Sequence, residues 1–192
     1  KRKRKRRKKK EKEKRKEIMA QWGKITLWDA SADGDIEMVK KRLQMELAKI
    51  NAQDPQGKTA LHEACRWDHA NVAQLLMDEG ADPEIYDTEG CAPLHVAAQF
   101  GQLNALKCLI KNKAWIDSQT WNGDTPLHSA AGGGHPEAVR ILLDAGANPD
   151  LKNTQNKKPK DVAANSDTGA VFREKDSNAQ YTSPTKYDGH EG

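Results

Sequence analysis

One phrase recurs in this chain at a fixed interval of 33 residues. It reads Gly-x-x-x-Leu-His, and its three clear copies begin at Gly57, Gly90 and Gly123. A degenerate fourth copy, Asn156 to Asp161, falls in the same register. A fixed period of this length predicts a stacked repeat protein, in which each unit buries its apolar face only against its neighbours. Such arrays usually bind other macromolecules, so the period favours a binding protein over an enzyme.

Each repeat is predicted to be a turn, a short helix, a longer helix and a loop. In the copy at Gly90, that glycine can take the positive φ of a turn. Pro93 suits the first turn of a helix, which Gly101 then ends. Apolar side chains at helical spacing predict the second helix, and they are Leu103, Leu106, Leu109 and Ile110.

The period and the Thr-Pro-Leu-His-x-Ala pattern resemble the ankyrin repeat family, most closely at Thr125 to Ala130. The resemblance covers about residues 27–165. It implies an all-α ankyrin solenoid of helix-turn-helix repeats with β-hairpin-like turns. The implied units are residues 27–56, 57–89, 90–122, 123–155 and a truncated cap at 156–165. The first unit departs from the pattern, because Trp28 stands where the family has histidine.

The resemblance also implies a structural role for the histidines that recur at the repeat period, His62, His95 and His128. In the family this histidine hydrogen-bonds the turn backbone and ties neighbouring repeats together. Helix packing places successive copies roughly 10 Å apart, so no two of them can share a metal ion. His62 and Glu63 begin like a His-Glu-x-x-His zinc motif, but Arg66 stands at the second His position. We therefore expect no metal site and no cofactor.

The sequence offers little support for catalysis. No nucleophile, base and orienting residue appear at a recognisable spacing, so we expect no catalytic residues and no enzyme. The glycine run 132–134 joins two helices and lacks the lysine of a phosphate loop. We expect it instead to bare a patch of the array that a partner's backbone can approach.

In the ankyrin family, partners lie along a concave surface formed by the turn tips and the exposed side of the first helices. Carried over by position, this surface holds ten candidate partner-binding residues. They are Lys58, Arg66, Trp67, Tyr86, Glu89, Gln99, Phe100, Trp121, Asn122 and Asp124.

Four of the chain's ten aromatic residues fall on this surface, and exposed Trp and Tyr are typical of binding hot spots. We predict that Trp67, Tyr86, Phe100 and Trp121 form one apolar strip. Its expected flanking residues are Arg66, Lys58 and Glu89. The alternative is that Trp67 and Phe100 fold back onto their own helices. A fifth aromatic, Trp115, either makes a second contact on the far edge or shields the adjacent loop.

The charge of the chain is sharply divided. Residues 1–17 carry 14 Lys or Arg and 3 Glu, a net of +11. The rest holds 18 basic and 25 acidic residues, a net of −7. The unbroken basic run is expected to bind an anionic surface, and it comprises Lys1, Arg2, Lys3, Arg4, Lys5, Arg6, Arg7, Lys8, Lys9 and Lys10.

Residues 1–26 form a basic arm, with a charged helix expected over roughly residues 8–23. Four roles of the arm remain open at this point. The first is a solvated tail or nuclear-import signal, and the second is contact with nucleic acid. The third is docking on an acidic protein surface, such as the tails of a cytoskeletal polymer. The fourth is binding to an anionic membrane surface. The sequence has no run of about 20 apolar residues, so no transmembrane segment is expected.

The three cysteines form no Cys-x-x-Cys pair, which favours a reducing compartment, the cytoplasm or the nucleus. Cys65 and Cys108 are expected to be buried apolar fillers, and Cys91 to be exposed in its turn. Because the sequence begins at Lys1 rather than at Met, a longer parent protein is one expectation.

Residues 166–192 are polar and aperiodic, so we expect a largely disordered tail. Val171 and Phe172 are the exception and are expected to pack against the final cap. Ser183 is followed by proline and then, two residues on, by lysine, which resembles a proline-directed kinase site. Ser183 is therefore a candidate for modification.

Taken together, these features favour a non-catalytic adaptor or scaffold, a monomer within a larger complex. Its concave ankyrin surface would bind a protein, and its polybasic arm would anchor or target it. The alternative is a nucleic-acid-associated or cytoskeletal-assembly subunit. There the arm itself binds a phosphate backbone or an acidic polymer surface.

Overall fold

A computed structural model describes residues 25–45 and 49–181 of the 192-residue chain. The basic run, the charged helix expected over residues 8–23 and Ser183 lie outside the described residues. Within them the chain forms nine α-helices, one 3-10 helix and no strand. The prediction of an all-α solenoid is therefore confirmed.

The first eight helices come as four consecutive pairs, each a short helix followed by a longer one. They are α1 Leu27–Ala32 with α2 Ile36–Met45, α3 Ala60–Arg66 with α4 Ala70–Asp78, α5 Pro93–Gln99 with α6 Leu103–Lys111, and α7 Pro126–Gly133 with α8 Pro136–Asp144. A 3-10 helix, Pro159–Val162, and α9, Ser166–Tyr181, follow. The short helices pack on one another in one layer, and the longer helices pack in a second layer.

The small residues of the short helices explain this tight first layer. A buried alanine recurs in each one, at Ala30, Ala64, Ala97 and Ala130. Such small side chains let neighbouring helices approach at the low end of the usual range of about 8–10 Å. The longer helices supply larger apolar side chains to the same core, among them Leu76, Leu109 and Leu142.

Backbone hydrogen bonds link the tip of each turn to the tip of the next one. The amides of Thr88, Trp121 and Thr154 donate to the carbonyls of Gln56, Glu89 and Asn122, at 3.0, 3.4 and 2.9 Å respectively.

The glycine of each turn is required by this close approach. Gly90 has a φ of 80°, and a Cβ there would lie 2.6 Å from the backbone nitrogen of Trp121. The degenerate fourth copy keeps the same conformation with Asn156, whose φ is 62°. Asparagine is one of the few other residues that adopts positive φ readily, which is why the cap can keep the register.

A second link runs from the side chain of each short helix to the following turn, and the three histidines form it. The Nδ1 atoms of His62, His95 and His128 accept from the backbone N–H three residues earlier, at 3.0, 3.2 and 3.1 Å. Their Nε2 atoms therefore carry the proton. These Nε2–H groups donate to the carbonyls of Cys91, Asp124 and Lys157, at 3.0, 3.1 and 3.0 Å.

The first repeat makes the same link with different residues. The indole Nε1–H of Trp28 donates to the carbonyl of Lys58 at 2.8 Å, in the place of a histidine Nε2–H. An indole has no acceptor, so the other half of the histidine's role falls to Asp29. Its Oδ2 accepts from the backbone N–H of Thr26 at 2.8 Å, and this hydrogen bond is the main cause of the lowered pKa of Asp29.

The sequence-based prediction of a largely disordered tail is wrong for residues 166–181, which form α9. Val171 and Phe172 are buried in the core, as expected of these two residues. Asn165 caps the helix, because its Oδ1 accepts from the backbone N–H of Thr168 at 2.8 Å. The apolar pair and this cap together offset the ordering entropy that the polar composition alone would not.

Removing the indole donor of the first repeat should loosen its contact with the second. Trp28→Phe keeps an aromatic ring but leaves the Lys58 carbonyl without its donor. We expect the free energy of unfolding to fall by about 1–2 kcal/mol, as measured by urea denaturation. Trp115→Phe is the matched control, since that indole is exposed, and it should change stability by less than about 0.5 kcal/mol. Equal effects of the two substitutions would contradict the assigned role of Trp28.

Acid should weaken the contact made by His95. Burial is the main cause that lowers the pKa of His95 from 6.5 to about 4. Below pH 6.5 the unfolded chain takes up a proton at this residue that the folded chain does not, so stability falls as pH falls. The loss by pH 4 is on the order of 3 kcal/mol.

Urea denaturation at pH 7, 5.5 and 4.5 measures this loss. His95→Gln removes the titrating group. The variant should be less stable at pH 7, and its free energy of unfolding should change less with pH. Identical pH slopes for the two proteins would show that His95 does not carry the effect.

Candidate functional site

The candidate partner-binding residues all lie in the described part of the chain, and they fall into two sets. One set occupies the turn tips, and the other occupies the C-terminal ends of the short helices α3 and α5. A seven-residue helix is roughly 10 Å long, so this distance separates the two sets within a repeat.

At the helix ends, an arginine bridges two exposed aromatic rings. The guanidinium carbon of Arg66 lies 4.4 Å from the ring centroid of Phe100 and 5.8 Å from that of Trp67. Trp67 is 54% exposed and Phe100 is 39% exposed. Cation–π contacts of this kind fix the side chains while their outer faces stay in solvent. We call these three residues the arginine cluster.

At the turn tips, Tyr86 and Trp121 form a second pair. Their ring centroids are 6.0 Å apart with a tilt of 42°. The Nε1–H of Trp121 donates to the carbonyl of Thr88 at 3.2 Å, and the ring remains 66% exposed. Tyr86 is half-buried, and burial is the main cause that raises its pKa.

The four aromatics predicted to form one strip therefore fall into two groups. Among the described residues, no ring contact joins the arginine cluster to Tyr86 and Trp121. The length of the short helices separates helix ends from turn tips. The repeat period in the sequence does not reveal this separation.

An open groove of about 370 Å³ lies over the third and fourth repeats. Four predicted residues line it, and they are Glu89, Gln99, Asn122 and Asp124. Gly132 and Gly133, in α7, line it too. Lys58 is not among the lining residues; its backbone amide donates to Asp54 Oδ1 at 2.8 Å in the second repeat.

Sequence reasoning missed several lining residues, namely Ser129, Asn153, Gln155 and Val162. Ser129 stands one repeat after Val96, in the middle of a short helix rather than at a turn tip or a helix end. Asn153 and Gln155 belong to the turn that leads from the fourth repeat into the truncated cap. Its Thr154 amide bonds the Asn122 carbonyl like the other tips, so the cap's turn could have been counted with them.

Trp115 lies apart from the groove, in the loop after α6, and is 64% exposed. Its backbone N–H donates to Glu84 Oε1 at 2.7 Å. The corresponding amides of Asp82 and Asn148 make the same bond one repeat before and one after. The loop of Trp115 thus keeps the backbone hydrogen bond of its counterparts, and the indole side chain takes no part in that bond.

A sequence model of the ankyrin repeats, in three copies, matches residues 8–87 and 79–153. The chain belongs to the ankyrin repeat family. Ankyrin repeats in general mediate protein–protein interaction and are in general non-catalytic. A relative from Acanthamoeba polyphaga mimivirus, ankyrin repeat protein L371, is 43% identical over 51 residues. That match covers 27% of this chain and 6% of the relative.

In the described ranges of this ankyrin array, no helix is long and apolar enough to cross a membrane. The same ranges hold no group of three His, Cys, Asp or Glu residues placed to bind a metal ion.

The expectation that Cys91 is exposed is wrong. Cys91 is half-buried at the edge of the groove, because the next turn packs against its own. Burial is the main cause that raises the pKa of its thiol to about 12. Cys65 is fully buried, as expected, and Cys108 is half-buried.

The native array should therefore protect Cys91 from alkylation. At pH 8 a thiol of pKa about 12 is roughly one part in ten thousand thiolate, against about a quarter for an ordinary cysteine. We expect iodoacetamide to modify Cys91 at least about 100-fold more slowly in native protein than in urea-unfolded protein. Peptide mapping by mass spectrometry gives both rates. Similar rates in the two states would contradict a buried, protonated thiol.

Proposed function

We propose that this chain is a non-catalytic adaptor. Its ankyrin array binds a protein partner on the concave face, and its polybasic run, residues 1–10, anchors or targets the complex. We place it in the cytoplasm or the nucleus. The family's general role in protein–protein interaction supports the first part of the proposal.

The observation that carries the proposal is the arginine cluster. Two large aromatic side chains remain exposed on one surface while Arg66 stacks between them. Ordered, exposed Trp and Arg residues are the types most enriched at binding hot spots. Because Arg66 already restrains the rings, a partner that covers them loses less side-chain entropy on binding.

The second candidate function rests on the charge division of the sequence. A net of +11 within residues 1–17 is suited to a phosphate backbone or to an acidic polymer surface. In that case the arm would be the binding element, and the ankyrin array would recruit other proteins to it.

Binding by the arginine cluster is tested with Trp67→Ala/Phe100→Ala in the full chain. Partners are captured on tagged protein with and without nuclease, identified by mass spectrometry, and re-measured as purified proteins. We expect the double variant to bind the partner at least about 30-fold more weakly, which corresponds to about 2 kcal/mol. Trp115→Ala removes an equally exposed indole elsewhere and should leave affinity unchanged.

The same partner, measured over a salt series, separates the two functions. Binding through the arginine cluster should be only mildly salt-dependent and should survive deletion of residues 1–17. Binding through the arm should weaken by about 0.9 log units per neutralised phosphate for each tenfold rise in salt. Full binding by the double variant, together with loss on arm deletion, would replace the first function by the second.

A further inference from the structure

Gly132 in α7 is a glycine that the array itself does not require. Its backbone is not in the left-handed region, and a Cβ there would find nothing nearer than the Val162 carbonyl oxygen at 3.9 Å. Glycine destabilises a helix interior relative to alanine. Neither backbone conformation nor packing therefore accounts for it.

Its neighbours differ in this respect. A Cβ on Gly133 would lie 2.5 Å from the Gln99 carbonyl oxygen, and Gly134 has a φ of 74°. Both are needed for the fold. One and two repeats earlier, the position of Gly132 holds Gln99 and Arg66. Other repeats thus tolerate a side chain at this position. The absence of a side chain at Gly132 makes the groove deeper there.

The groove above Gly132 carries negative charge. Four titratable residues line it, and they are Glu89, Cys91, Asp124 and His128. The raised pKa keeps the Cys91 thiol neutral. His128 is buried, with Nδ1 and Nε2 bonded to Thr125 and Lys157.

The remaining two groups are carboxylates, and no lysine or arginine lines the groove. Within the described residues, neither Glu89 nor Asp124 has a salt-bridge partner. In the part of the chain that the structure describes, the two carboxylates accept one side-chain hydrogen bond, from Asn153 Nδ2 to Asp124 Oδ1 at 2.7 Å. A cationic group would complement this pair of carboxylates.

Side-chain amides at the rim are left unused. In the described part of the chain, those of Gln99, Asn122 and Gln155 make no hydrogen bond. Other turn amides are occupied: Gln53 donates to two carbonyls, and Gln119 donates to the Gly123 carbonyl at 2.9 Å. An amide both donates and accepts, so the free ones match the alternating groups of an extended peptide backbone.

We propose that this groove holds an extended peptide segment of the partner protein, with its main chain over Gly132 and a lysine or arginine side chain at Glu89 and Asp124. The inference rests on the proposed function and names the partner's chemistry. The groove volume of about 370 Å³ lies within the range of ordinary ligand sites. An acidic peptide or a nucleic acid would bring further negative charge against the two carboxylates and is disfavoured.

The test selects phage-displayed random linear 12-residue peptides on the immobilised full chain. Enriched peptides are then synthesised and their affinities measured by fluorescence anisotropy. We expect a shared lysine or arginine in the selected peptides. The Glu89→Gln/Asp124→Asn variant should bind them at least tenfold more weakly, and replacing their basic residue by norleucine should give a similar loss. Glu79→Gln removes an exposed carboxylate outside the groove and should have no effect.

Gly132 is tested by substitutions that leave the fold intact. Gly132→Ala should be at least as stable as the native chain in urea, yet bind the peptides several-fold more weakly. Gly132→Leu should weaken binding more than tenfold. Gly169→Ala, a helical glycine in α9, is the matched control and should leave affinity unchanged.

Several outcomes would overturn the inference. Among them are no enrichment over an unrelated protein, peptides without a basic residue, or equal binding to all variants. Peptides that depend on Trp67 and Phe100 but not on the groove would also overturn it, while retaining the proposed function. If a synthetic peptide of residues 1–17 displaces the selected peptides more strongly than they displace one another, the chain's own arm is the occupant, and the partner assignment fails.

Discussion

The array depends on one repeated interaction, a side-chain N–H of each short helix that donates to a carbonyl of the next turn. His62, His95 and His128 supply it, and Trp28 supplies it in the first repeat. The carbonyl belongs in every case to the residue after the turn's positive-φ position, so the bond fixes the turn relative to the helix before it. The turn tips carry most of the groove's polar side chains. The spacing of the groove is therefore set by these bonds as much as by the apolar core.

Most of the fold could be predicted from the sequence, because three in-register copies of one phrase determine both the helix pairs and their stacking. The first repeat was harder to interpret. Trp28 reads as a departure from the pattern, although its indole N–H performs the histidine's donor role and Asp29 performs the acceptor role. A pattern based on residue identity misses such a division of one function between two neighbours. A pattern based on donors and acceptors would have found it.

The differences between sequence and structure have local physical causes. The polar composition of residues 166–181 concealed two buried apolar side chains and an asparagine cap, which suffice for α9. For the aromatic residues, the repeat period alone gives no distance along a helix axis. The prediction of a single strip therefore combined the aromatics of the turn tips with those of the helix ends. The groove between the third and fourth repeats depends on tertiary packing of the cap, so only its turn-tip and helix-end residues were accessible from the sequence.

Acid would act on the array through its buried, neutral imidazoles. Burial lowers the pKa of both His62 and His95, and these two residues hold the front and the back of the third repeat. A second proton on either ring would sit at Nδ1, which then no longer accepts from the backbone N–H that holds the ring in place. The indole of Trp28 cannot titrate. The third repeat, which carries Gln99 and Phe100, would thus be held less firmly on both of its sides. The chain would then behave as two short blocks joined by a loosened segment.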